Sequence, residues 1–151
     1  MKIEQHIVGT MGVCCYILSC ENSGKGAVVD PGGDEDRILQ AVEKAGLSLE
    51  YIIATHGHPD HVCGNRRIQE ATGAKIVMHE TDAEFFSQPQ IKNYFSMLGL
   101  EESPRADVIV KEGDTISFGD VSLQVIHTPG DTPGGMCLYC PPGLITGATL
   151  F

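Results

Sequence analysis

The sequence predicts an α+β chain in which two β-sheets pack face to face with helices on the outside, and three observations point there. In the first half, short apolar runs alternate with segments of helical period; from Asp107 onward the pattern is β throughout; and Gly- and Pro-containing turns separate the runs at short intervals. Alternating strands and helices build a sheet with parallel members. Successive strands joined by tight turns build an antiparallel one.

Taken in order, 2–8 and 13–19 alternate or run apolar as strands, and Gly24 turns the chain into a third strand over 27–29. The period then changes. Asp34 is placed to cap a helix running to Leu47, with Ile38, Leu39, Val42 and Ala45 as its apolar stripe and Gly46 as its end. A short buried strand follows over 51–54, then a helix from about His61 to Ala71 and a strand over 75–78. The stretch 80–102 predicts two short helices broken near Pro89. Its Phe85, Phe86, Tyr94, Phe95, Met97 and Leu98 read as core or lid packing. Beyond Asp107, strands are predicted over 108–110, 115–118, 121–127, 136–140 and 144–146, punctuated by Gly113-Asp114, Gly119-Asp120 and Pro141-Pro142-Gly143. No repeat or linker divides the chain, so residues 1–151 are expected to form a single domain.

The composition, 42% hydrophobic and 20% charged over 151 residues, is that of a globular chain with a sizeable core. A net charge of -10 argues against nucleic acid or an anionic membrane as partner, since phosphate neutralisation needs clustered Lys and Arg. Arg66-Arg67 is the one adjacent basic pair and reads as a solvated helix patch, with an anchor for an anionic substrate as the alternative. No signal-peptide pattern opens the chain and no window reaches membrane-span length, which leads to an expected cytoplasmic location. A small-molecule substrate is the expected partner, with homo-oligomerisation left open. The six cysteines are irregularly spaced, two of them adjacent, so reduced thiols are expected. Cys137 and Cys140 form a Cys-x-x-Cys inside an apolar run and read as core. Cys63, close after His61, reads as a small buried thiol.

The chemistry is concentrated in Thr55-His56-Gly57-His58-Pro59-Asp60-His61, which follows the apolar 51–54 segment. Neutral imidazole is the commonest ligand for zinc-like ions, and a neighbouring carboxylate can hold a second ion or orient a bound water. His56 and His58, two apart, project to the same side of an extended segment, while Asp60 and His61 come in from the turn into a helix.

This His-Gly-His-Pro-Asp-His run fits the His-x-His-x-Asp-His motif of the metallo-β-lactamase superfamily, and the chain around it resembles the glyoxalase II-like, or hydroxyacylglutathione hydrolase-like, branch. Three more stretches carry the resemblance: Val28-Val29-Asp30-Pro31-Gly32-Gly33, the 127–134 run His-Thr-Pro-Gly-Asp-Thr-Pro-Gly, and the 146–151 run Thr-Gly-Ala-Thr-Leu-Phe. The resemblance implies an αββα sandwich of two mixed sheets with outer helices. It runs out at Phe151, where further elements and a downstream histidine ligand would follow, so the last outer layer is expected to be incomplete.

In the resembled hydrolases two metals share a hydroxide that attacks a carbonyl carbon, and a divalent ion brings the pKa of bound water to about 7. Carried over, His56 and His58 would bind the first metal, Asp60 and His61 the second, with Asp60 the catalytic residue. Asp30 would orient ligands from behind, and His127 would brace its loop. Two positions depart from the pattern. Asp131 stands where the family has a histidine ligand of the first metal, and Ala148 where it has the aspartate that bridges both. Asp131 can ligate, but its shorter reach weakens the first site, and without the bridge at Ala148 and the downstream histidine the second keeps only Asp60 and His61, so one well-held metal at most is expected, zinc first, with iron or manganese as alternatives. The expected function is thioester or ester hydrolysis, impaired in this chain. The alternatives are sulfur oxidation at one iron, as in persulfide dioxygenases, and a non-catalytic metal-binding or interaction protein.

Overall fold

A computed structural model describes residues 1–130, 132–140 and 143–146. Ten strands and five helices alternate along it. The first sheet has the order β1-β2-β3-β4-β5-β6, built from β1 (Lys2–Val8), β2 (Val13–Ser19), β3 (Lys25–Val29), β4 (Ser48–Ile53), β5 (Lys75–His79) and β6 (Val108–Val110). β1, β2 and β3 pair antiparallel, while β3 through β6 pair parallel, so this sheet is mixed. The second sheet has the order β10-β9-β8-β7 and is antiparallel among the described residues: β7 (Thr115–Phe118), β8 (Val121–His127), β9 (Met136–Cys140) and β10 (Gly143–Ile145).

The parallel strands read as continuous apolar runs because both of their faces are covered. In β3, β4 and β5, Val28, Ile52 and Ile76 lie in register and face α1 (Glu35–Lys44) and α3 (Asn65–Thr72), packing with Ile38, Val42 and Ile68. Their chain neighbours Val29, Ile53 and Val77, also in register, face the second sheet and join Ile116, Phe118, Leu123, Val125, Met136 and Leu138. One residue of slip would exchange these two sets and expose neither to water, but it would break both layers of packing. Two sheets with outer helices is the architecture the sequence predicts, but of the two sheets expected to be mixed the second is antiparallel among the described residues, its strands being joined in succession.

Several boundaries differ from the sequence reading for identifiable reasons. Helix α1 ends at Lys44, and Ala45, placed in the apolar stripe, is exposed. Asp34 does not cap it with its side chain: its φ is 49 and its carboxylate accepts instead from the Gly9 amide at 2.9 Å. The single helix expected over 61–71 is two, α2 (Pro59–Val62) and α3, because the chain at Gly64 runs against the Pro31 carbonyl. The Gly64 amide donates to that oxygen at 2.9 Å, and a Cβ would sit 2.3 Å from it. The two helices over 80–102 are α4 (Glu80–Phe85) and α5 (Pro89–Leu98). Of their large apolar side chains only Phe95 is fully buried; Met97 is 83% exposed, and Phe85, Tyr94 and Leu98 are also exposed. The stretch is therefore a thin cover anchored at Phe95, not a core.

Candidate metal centre

Because β3, β4 and β5 run parallel and in register, their C-terminal ends open onto one edge, and the chemistry collects there. Asp30 follows β3, the segment 54–61 follows β4, and His79 ends β5 with Glu80 to Asp82 following it. The three imidazoles of the central segment converge. The ring centroid of His56 lies 4.9 Å from that of His58 and 4.0 Å from that of His61. Asp60 points an oxygen at His61 Nε2 across 3.9 Å and is itself partly open to solvent.

The histidines are held in defined orientations from behind. Asp30 is fully buried, and its φ of 53 turns the chain sharply off the end of β3. One carboxylate oxygen accepts the Thr55 amide at 2.8 Å; the other accepts the Thr55 hydroxyl at 2.5 Å and His61 Nδ1 at 3.1 Å. The Thr55 proton is thus committed to Asp30, so His56 Nδ1, 3.1 Å from the same hydroxyl, must be the donor of that pair. His56 therefore carries its proton on Nδ1 and presents the Nε2 lone pair. Burial, more than any other influence, pushes the His56 pKa below its usual 6.5, and the neighbouring His61 and His58 add to that. A neutral ring is the state a metal needs.

Asp30, His56 and His61 offer ligand atoms that all lie within 4.8 Å of one another. Both oxygens of Asp30 already accept from Thr55 and His61, which makes it their brace; His58 and Asp60, the other ligands expected from the sequence, lie outside this three-residue group. Imidazole nitrogens beside a carboxylate suit a borderline divalent ion. The sequence grouped His56 with His58 and Asp60 with His61; the structure places His61 nearer to His56 than His58 is.

Two residues escaped the sequence reading. Thr55, besides its bonds to Asp30 and His56, accepts the Met136 amide on its carbonyl at 2.8 Å, which ties the segment to the second sheet. Asp82, in the first turn of α4 and fully buried, accepts from the Gly57 amide (2.8 Å), the Thr132 hydroxyl (2.7 Å) and the Gly134 amide (2.7 Å). An acidic residue in a first helical turn is too common to single out. One partner of Asp82 is 52 residues away: at Gly134 a Cβ would lie 2.3 Å from the Asp82 amide, a proximity that only the fold creates.

His127 stacks on His79 at 4.1 Å, and its Nε2 donates to the Pro133 carbonyl at 2.9 Å, within the 128–135 loop. His79 caps α4 by accepting the Thr81 amide at 3.1 Å. Asp131 and Ala148 lie outside the described residues. Arg66 pairs with Glu101 and Arg67 with Asp36, both pairs at the surface. All six cysteines are free thiols, and burial with the nearby Glu35 pushes Cys63 up to about 11, so its thiol stays protonated at neutral pH. No helix among the described residues is long and apolar enough to cross a membrane.

Two cavities flank the site. One of about 600 Å³ has Asp60, Cys63, Gly32, Met11 and Leu100 in its wall. The other, about 780 Å³, lies beneath α4 and α5 and is parted from Gly57 and His58 by the Phe86 ring.

Comparison with known proteins agrees with this geometry. The chain is 37% identical over 139 residues to an uncharacterized protein of Aquifex aeolicus, covering 92% of this chain and 65% of that one. It is 35% identical over 138 residues to the hydroxyacylglutathione hydrolase of Maricaulis maris, covering 90% of this chain and 47% of the other. The chain thus spans about half to two thirds of the length of these relatives. Among solved structures it superposes on TTHA1623 in a di-iron-bound form with a TM-score of 0.78 at 25% identity, over 98% of this chain and 73% of that one. The model of the metallo-beta-lactamase superfamily matches residues 8–145, and with the histidine cluster at the ends of the parallel strands this places the chain in the metallo-beta-lactamase superfamily.

Proposed function

We propose that this chain is a glyoxalase II-like hydrolase that cleaves a thioester or related ester with the help of zinc held by His56, His58 and His61 with Asp60. The observation that carries the reading is the convergence of the three imidazoles, two of them fixed through Thr55 and Asp30. The likeness to a hydroxyacylglutathione hydrolase supports the thioester as substrate. A bound divalent ion supplies an activated water at neutral pH and polarises the acyl carbonyl. The residues do the rest. Thr55 and Asp30 keep the rings of His56 and His61 aimed, and the Asp60 carboxylate, on the wall of the 600 Å³ cavity, would complete the ligand set and accept a hydrogen bond that orients the bound water. Asp131 in place of a histidine and Ala148 in place of an aspartate lower turnover below that of the relatives.

The test is metal content after dialysis together with release of free thiol from a hydroxyacylglutathione thioester. Bound zinc with turnover that disappears on chelation and in His58→Ala is the expected result. One iron with oxygen consumption would favour sulfur oxidation instead, and a chain retaining neither metal nor turnover would refute the hydrolase.

A further inference from the structure

We propose that Asp82 is the positioning residue that holds the two loops of the centre in register, a role that rests on the metal-centre reading above. Its carboxylate reaches both loops at once: Oδ2 accepts the Gly57 amide and the Thr132 hydroxyl, and Oδ1 accepts the Gly134 amide. Gly57 stands between His56 and His58, and Thr132 and Gly134 lie just after position 131. One buried group therefore bridges the loop that presents the imidazoles and the loop that carries Thr132 and Gly134.

The mounting of Asp82 fits this role. It stands in the first turn of α4, directly after β5, so its position is set by the same parallel strands that carry Asp30 and His56. His79 fixes the start of that turn by capping the Thr81 amide, and one turn later Phe86 lies against Gly57 and meets the His58 ring edge-on at 6.2 Å. The 128–135 loop approaches so closely that position 134 admits no side chain without displacement. A carboxylate can only accept, and here it meets three donors; Asn in its place would turn an NH₂ toward at least one of them. Groups that orient ligands without touching the metal typically cost about tenfold to a hundredfold in metal affinity when changed.

The experiment compares the parent with Asp82→Asn and with Thr132→Val, which removes one of the three bonds while keeping the side-chain shape. In the metal-free proteins, amide hydrogen exchange is measured at Gly57, Gly134 and the core amides of Ile52 and Val28. Cobalt(II) is then titrated, and its visible spectrum and affinity are recorded. In Asp82→Asn the two glycine amides are expected to exchange at least about tenfold faster while the core is unchanged. Cobalt affinity should fall about tenfold to a hundredfold, with an altered spectrum. Thr132→Val should give a smaller loss, about fivefold, that adds nothing on top of Asp82→Asn. The role is overturned if the glycine amides exchange as in the parent, if exchange quickens equally in the core, or if cobalt affinity and spectrum stay at parental values. A parent that takes up no cobalt sinks the hydrolase, and the exchange result still decides for or against the latch.

Discussion

Asp30 shows how much a single residue contributes at the edge of this site. A non-glycine residue in the left-handed region costs about 1–2 kcal/mol, and Asp30 holds it at φ 53 while fully buried. Three hydrogen bonds to Thr55 and His61 offset that cost. Asp30→Ala should destabilise the fold by about 3 kcal/mol or more, since it strands three buried donors at about 1–3 kcal/mol each. Asp30→Asn, which tolerates the left-handed backbone, should lose roughly half as much; urea unfolding measures both, and a loss under about 1 kcal/mol for Ala would contradict the brace. Gly134→Ala tests close approach at the other loop. Forcing a methyl against the Asp82 amide should cost about 1–3 kcal/mol by the same measurement.

Among the elements, α5 makes the sharpest contrast between pattern and packing. Its apolar residues look alike in sequence, yet Phe95 is 4% exposed and Met97 83%. Phe95→Ala should cost about 3–5 kcal/mol and loosen the cover over the larger cavity, whereas Met97→Ala should stay within about 0.5 kcal/mol of the parent. Thermal unfolding of the two variants side by side decides this, and equal effects would mean that α5 packs as a core helix. The strands, by contrast, were readable to within a residue except that β3 and β4 begin earlier than expected, at Lys25 and Ser48, because their parity is enforced from both sides: a residue facing α1 cannot also face the second sheet. The break between α2 and α3 was not readable, since it depends on the Pro31 carbonyl, brought close only by the tertiary fold.

At the level of the whole molecule, pH acts through histidines whose folded pKa is pushed down. Burial lowers His56 and His79, in both cases as the largest cause. The unfolded chain therefore takes up protons first, near the ordinary value of 6.5, and the folded chain only at lower pH. The stability of the metal-free protein should be fully present above about pH 7 and should decline as the pH drops below 6.5 toward the folded values; melting temperatures from pH 8 to 5 check the sign, and a rise on acidification would refute it. A second prediction spans the molecule: Asp131→His with Ala148→Asp should raise metal content, and flat occupancy would show that these positions do not correspond to the family's ligands. The sequence displayed the imidazoles, the flanking carboxylate and Asp30 because motif and spacing are local. It concealed the roles of Thr55 and Asp82, whose bonds to Asp30, Gly57, Thr132 and Gly134 span 25 to 52 residues and whose types are ordinary for their places. The parallel arrangement of β3, β4 and β5 has one more outcome. Every group presented to substrate hangs beyond the last rung of a ladder whose two faces are already sealed, so the connecting segments can be lengthened, shortened or exchanged without disturbing either sealed face. Apart from the braces at Asp30 and Gly134, the segments around the candidate site can thus vary while both sealed faces persist.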